Sequence, residues 1–171
     1  MQPRHAIAII APLIFLFDRM TKAVIEARVS FWDNHTVIPG LFSIIHTQNR
    51  GAAFSLLNDA SDLVRGVVLI GISTMVAMVV AYMLIRSLQP GDTQSNFVRV
   101  ALALVLGGAC GNLHDRIFHG SVTDFLLFYW HDYQFPAFNV ADSAIFIGAC
   151  LLILDMMRES KKPTEPALPA N

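Results

Sequence analysis

The chain alternates long apolar runs with short polar connections. Four runs, at about 6–27, 66–85, 97–118 and 138–157, match the roughly 20 residues that cross a hydrocarbon core of about 30 Å at about 1.5 Å rise per residue. The second, GVVLIGISTMVAMVVAYMLI, carries no charge. The core of the first, AIAIIAPLIFLF, is short enough to be the apolar part of a secretory leader. No small-residue cleavage box follows it, so it is expected to be a span.

The segment 28–65 between the first two runs contains TVIPGLFSIIHT, a Pro-Gly pair flanked by β-branched and aromatic residues, which predicts short strands outside the membrane. RSLQPGDTQSN reads as a polar turn, and ESKKPTEPALPAN as a tail too polar and proline-rich to pack. The pattern therefore predicts an all-α membrane protein: four transmembrane helices and a small extramembrane β element, one domain over 1–158 and a disordered tail over 159–171. Basic residues set the orientation. Arg4, Arg86, Arg99, Arg158, Lys161 and Lys162 mark one side and Arg28, Arg50 and Arg65 the other. Both termini are thus expected in the cytoplasm, and Asp18, Lys22, Asn49, Asn112, Asp115, Arg116, Asp124, Asn139 and Asp142 converge near the outer face.

Composition strengthens the membrane assignment. Of 171 residues, 54% are hydrophobic and 15% charged, and the mean hydropathy is +0.53, outside the range of ordinary soluble domains. A formal net charge of -1 gives no basic field for nucleic acid. Cys110 and Cys150 lie inside apolar runs with no CxxC spacing, so they read as packing residues.

Charges inside spans cost about 2.5–3.5 kcal/mol each on insertion scales and need partners. Asp18 and Lys22, spaced i, i+4 with the acid first, read mainly as a self-neutralising structural pair. Asn112, Asp115 and Arg116 share one helical face: the charged residues could lock the helix to its neighbours, and Asn112 could reach a substrate amide. Gly107 and Gly111 form a small-xxx-small pattern for close helix approach.

Asp124, in the loop SVTDFLLFYW, and Asp142, in AFNVADSAIFIGACLLIL, have no basic residue at helical spacing. Asp142 could simply cap the fourth helix. As a pair in a poorly solvated site, two carboxylates share a proton and supply both a base and an acid, which is what activating water and protonating a leaving amine require. The aromatic residues Phe125, Phe128, Tyr129, Trp130, Tyr133, Phe135 and Phe138 read as an interfacial anchor. His46, His114, His119 and His131 form no HExxH-type run, and there is no GxSxG elbow, P-loop or GxGxxG fingerprint; no metal and no cofactor are expected.

The stretches DRMTK (18–22), NRGAAFS (49–55), GGACGNLHDR (107–116), VTDF (122–125) and FNVADS (138–143) together resemble bacterial lipoprotein signal peptidase, the type II signal peptidase. The resemblance implies a four-helix membrane aspartyl peptidase with an extramembrane β-cradle on the outer face of the cytoplasmic (inner) membrane. Asp124 and Asp142 would be its catalytic dyad. Such enzymes cut diacylglyceryl-modified prolipoproteins just before the lipidated lipobox cysteine, need no metal, and are inhibited by globomycin. Asn49, Gly51, Asn112, Arg116 and Asn139 would line or brace the substrate site, with Asp18, Lys22 and Asp115 in support. Arg19 stands where the family usually has Gln, and Arg50 where a small or aromatic residue is common; both departures bear on substrate preference. The expected partners are prolipoproteins and membrane lipids, without nucleic acid, and a monomer is expected. The rival reading is a small proton-coupled exporter or lipid flippase relaying protons through Asp18 and Asp142.

Overall fold

The computed structural model describes residues 3–31, 33–51 and 62–159. Its elements are α1 (Pro3–Ile7), α2 (Ile10–Arg28), β1 (Asn34–Ile38), β2 (Phe42–Asn49), α3 (Asp62–Ser87), α4 (Asn96–His119), β3 (Val122–Trp130), β4 (Tyr133–Gln134) and α5 (Val140–Glu159). Residues 52–55 of NRGAAFS and the tail from 160 onward lie outside the described residues.

Three helices are long and apolar enough to cross a membrane: α3 over Gly66–Ser87, α4 over Asn96–His119 and α5 over Val140–Arg158. The first expected span differs. It is a short α1 followed, after a break at residues 8–9, by a 19-residue α2 that carries Asp18, Arg19, Lys22, Glu26 and Arg28. Pro12 explains the break, because it offers no N–H to the carbonyl of Ala8 and its ring would clash there; that carbonyl accepts from Ala11 instead, at 3.3 Å. On α2 the exposed apolar residues Leu13, Leu16, Phe17, Met20 and Val24 recur at helical spacing, whereas Asp18 and Lys22 are wholly buried. Asp18 and Lys22 point inward and the hydrocarbon outward, the reverse of a helix made for water, while Glu26 and Arg28 near the helix end are exposed.

α4 is the hub, packing against α2, α3 and α5. Its glycines set how close those neighbours come. A Cβ on Gly107 would stand 2.6 Å from the Ala11 carbonyl of α2, one on Gly111 would stand 2.5 Å from Asp18 Oδ2, and one on Gly108 would collide with the Ala141 carbonyl of α5. Gly148 reciprocates from α5, 2.7 Å from the Ala101 carbonyl. Ser95 caps α4 by accepting from Val98 N–H at 3.2 Å, and left-handed Gly120 ends it.

The four strands form one antiparallel order β1-β2-β3-β4. Pro39 and Gly40 make the turn between β1 and β2, with Gly40 at φ 77° and Leu41 N–H donating to Ile38 O at 3.1 Å, as Pro-Gly favours. The expected β element therefore forms, but it is larger than 28–65. The loop assigned to Asp124 is strand β3, in which Asp124 pairs with Thr47 of β2. The aromatic residues divide: Phe125 is buried, Phe128 packs on Phe42 at 4.8 Å, and Trp130, Tyr133 and Phe135 stay exposed. Cys110 and Cys150 are unpaired.

Candidate active site

The sheet closes the end of the bundle at which α2 and α4 finish and α3 and α5 begin, and the polar residues singled out in the sequence collect there. α5 opens with a reciprocal cap. Asn139 Oδ1 accepts from Asp142 N–H at 2.9 Å, while Asp142 Oδ2 accepts from Asn139 N–H at 3.2 Å, a capping box built from Asn and Asp. The second oxygen, Asp142 Oδ1, accepts from Asn112 Nδ2 at 2.7 Å.

Asp124 reaches the same place from β3. The Asn139 amide donates to Asp124 Oδ1 at 2.7 Å, and the Asn49 side chain also hydrogen-bonds this carboxyl. Burial pushes Asp124 up from 3.8 to about 6, and the charge of Asp142 adds to the rise; the bonds from Asn49 and Asn139 and the charge of Lys22 oppose it. Asn49 is held by its own turn, its Oδ1 accepting from Gly51 N–H at 2.8 Å. Gly51 sits at φ 96° with Leu69 of α3 where a Cβ would be, so both the conformation and the space call for glycine.

Behind the acids lies a buried charge network. Lys22 Nζ forms ion pairs with Asp18 Oδ2 at 2.7 Å and Asp115 Oδ2 at 2.7 Å, and donates to Asn112 Oδ1 at 3.0 Å. Asp18 Oδ1 accepts from Ala141 N–H at 2.9 Å, so the expected structural pair also anchors the first turn of α5. Asn112 accepts from Lys22 and from Asn139, the latter at 3.3 Å; with its amide on Asp142, it is occupied inside the protein rather than free for a substrate amide. Asp115 pairs with Arg19 as well as Lys22. Arg116 donates to Asn112 O at 3.2 Å and feels the charges of Asp142, Asp124 and Asp115.

Sequence reasoning passed over Glu26 and Thr123, joined at 2.7 Å between α2 and β3, and Ser143, whose hydroxyl donates to Asn139 O at 2.9 Å. The run VTDFLLFYW, rich in β-branched and aromatic residues, was the signal for the strand. His114, Asp115 and His119 bring three ligand-type atoms within 4.8 Å of one another. Arg19 and Lys22 already surround that carboxylate, placing cations where a metal's charge would sit. His46 is elsewhere, stacked on Phe31 at 4.1 Å, and His131 is in the turn after β3.

Three cavities meet this site. One of about 420 Å³ is lined by Phe135, Phe138, Asp142, Ser143, Phe146 and Ile147. A second, about 220 Å³, runs between α3, α4 and α5 past Ile72, Val76, Ala109, Ile145, Arg116 and Asp142. A third, about 250 Å³, includes Asn49, Arg50, Leu69, Arg116 and His119.

Comparison with known proteins agrees across most of the chain. A family model described as Signal peptidase (SPase) II, Peptidase_A8, matches residues 10–158. Lipoprotein signal peptidase from Solibacter usitatus is 44% identical over 153 residues, covering 90% of this chain and 91% of the relative. Those of Pseudomonas paraeruginosa and Geobacter sulfurreducens are 46% and 42% identical, covering 92% and 86% of this chain and 90% and 88% of theirs. A bacterial membrane enzyme solved by the in meso method at 2.3 Å shares the fold with a TM-score of 0.76 at 27% identity, over 96% of this chain and 95% of that one. A multi-pass membrane chain matched from α2 to α5 by one family belongs to that family: it is a member of the signal peptidase II family.

Proposed function

We propose that this chain removes the signal peptide from diacylglyceryl-modified prolipoproteins, hydrolysing the bond just before the lipidated cysteine with Asp124 and Asp142 as an aspartic dyad. The observation that carries the reading is Asn139, whose side chain holds Asp124 while its backbone and side chain hold Asp142. The reaction uses the form of the pair that carries one proton. The ionised member draws a proton from water, the water attacks the scissile carbonyl, and the protonated member hydrogen-bonds the developing oxyanion and then protonates the leaving amine. Arg116 steadies the charge of the pair, and Asn49, Gly51, Asn112, Asn139, Asp18, Lys22 and Asp115 hold its geometry. No cofactor enters the cycle. The apolar cavity beside Asp142 suits an acyl chain entering sideways from the bilayer, with globomycin as a competitor for the site.

α2 completes a set of four spans in the bacterial inner membrane, with both termini cytoplasmic, the dyad near the outer face, and the protein acting as a monomer. A proton-relay reading is less well supported. On α4 the ionisable residues Arg99 and Asp115 stand 16 positions apart, about 24 Å along the axis, with only glycines, apolar residues, Cys110, Asn112 and His114 between them.

The test is cleavage of a diacylglyceryl-modified prolipoprotein by purified wild type, Asp124→Asn and Asp142→Asn proteins in detergent. Each variant should stay folded and bind globomycin while losing about 10²- to 10⁴-fold or more in rate. Near wild-type cleavage by either one overturns the dyad.

A further inference from the structure

The third cavity has a character the proposed hydrolysis does not use. Arg50, Arg116 and His119 converge on about 250 Å³, and no carboxylate lines it among the described residues. It joins the site continuously: Leu69 and Arg116 line both this cavity and the apolar channel that reaches Asp142, and Asn49 lines it while hydrogen-bonding Asp124. The channel climbs α3 from Val76 through Ser73 to Leu69, and the cationic cavity begins where it ends, at Leu69 and Gly66.

We infer that this cavity is a subsite for an acidic side chain of the substrate, located within the first few residues after the scissile bond, with Arg50 as the residue that selects it. The inference rests on the peptidase reading. An apolar signal segment lying along Ile72, Val76 and Ile145 brings its end to Asp142 and Asp124. Its polar continuation, at about 3.3–3.6 Å per extended residue, then passes Arg116 into the cationic cavity. A carboxylate there meets two guanidinium groups, whose planar forks suit it. The volume lies below the roughly 300–1,000 Å³ of pockets that enclose drug-sized molecules, so it takes a side chain rather than a whole phospholipid headgroup with its glycerol. Arg116 is shared with the dyad, whereas Arg50 is exposed and free to confer preference without disturbing the acids.

The experiment compares two lipidated precursors that differ only in Asp or Asn at the first three positions after the cysteine, in nanodiscs of phosphatidylcholine or of phosphatidylglycerol. Wild type should cut the Asp precursor with a kcat/KM about two- to fivefold higher, the range for an exposed charge pair. Arg50→Gln should bring that ratio to about one, and Arg50→Lys should keep part of it. A ratio near one in wild type, or an equal loss on both precursors in Arg50→Gln, overturns the inference while leaving the peptidase reading intact. Dependence of the Asn precursor on phosphatidylglycerol that vanishes in Arg50→Gln assigns the cavity to a lipid phosphate and overturns it as well. If wild type cuts neither precursor in either membrane, the peptidase reading fails and this inference fails with it.

Discussion

Asp142 is at once a helix cap and a neighbour of a second acid, because a carboxylate has two oxygens and each has its own donor. From the sequence these were competing readings of one residue; the structure makes the cap compatible with the chemistry we propose. Asp124 was legible as an acid without a basic partner, but not its environment, since β3 is covered by α2 and α4 and its carboxyl is met by Asn139, contacts far apart along the chain. That burial has a measurable consequence. With its value raised from 3.8 to about 6, folded Asp124 still holds its proton in a pH window where the unfolded chain has released it. The group's contribution is therefore favourable below about 4, declines as pH rises through the window, and leaves a buried charge that costs stability above about 6. Asp124→Asn removes the charge and keeps an oxygen acceptor. It should raise the melting temperature at pH 8 and leave it nearly unchanged at pH 4, by at most about 3 kcal/mol at about 1.4 kcal/mol per pKa unit. An equal shift at both pH values would mean that Asp124 does not titrate as described. Cleavage follows the same midpoint in the opposite sense to a simple base: kcat/KM should fall as pH rises past about 6 and the pair loses its proton, and a rising limb there would contradict the shared-proton mechanism.

At the scale of elements, hydrophobic pattern located α3 and α5 well because a long apolar run, uncharged in α3 and with its acids only near the ends in α5, has few alternatives. It was weaker where one residue alters a long pattern: Pro12 splits the first run into α1 and α2, and the β-branched content of VTDFLLFYW outweighs its hydrophobicity in making β3. The glycines of GGACG were visible as small residues, but which neighbour each one admits was not, because Gly108 faces α5 while Gly107 and Gly111 face α2. This division predicts unequal effects. Gly108→Ala places a methyl against the Ala141 carbonyl, in the turn of α5 that holds Asp142, so it should destabilise by about 1–3 kcal/mol and also slow cleavage. Gly71→Ala, on α3 with nothing near its added methyl, should be neutral or stabilising by up to about 1 kcal/mol through helix propensity. Melting temperatures and cleavage rates of the two variants in one detergent decide this; similar losses in both would remove close α4–α5 approach as the reason for Gly108.

Across the whole molecule, α2 decides how many times the chain crosses the membrane. Its short apolar core left a secretory leader as the competing reading, yet α1 and α2 together run the length of the bundle. At one end Arg4 of α1 donates to Gln89 O in the turn between α3 and α4 at 3.3 Å; at the other, Glu26 accepts from Thr123 of the sheet at 2.7 Å. A helix of 19 residues spans about 28 Å, close to a hydrocarbon core, and its mid-helix charges Asp18, Arg19 and Lys22 are neutralised among themselves and by Asp115 rather than left facing lipid. A segment lying flat on the membrane could not reach both ends as α1 and α2 together do. Labelling from outside the cell with a membrane-impermeant maleimide separates the alternatives, using single cysteines at exposed His5, Thr36 and Gln94 in a chain with Cys110 and Cys150 replaced by Ala. Because α3 lies between them, Thr36 and Gln94 should fall on opposite sides in either arrangement, with Thr36 labelled and Gln94 protected. Four spans put His5 with Gln94, protected until the membrane is permeabilised. If His5 labels together with Thr36, α2 does not cross, and the inward-facing charges of Asp18 and Lys22 need another explanation.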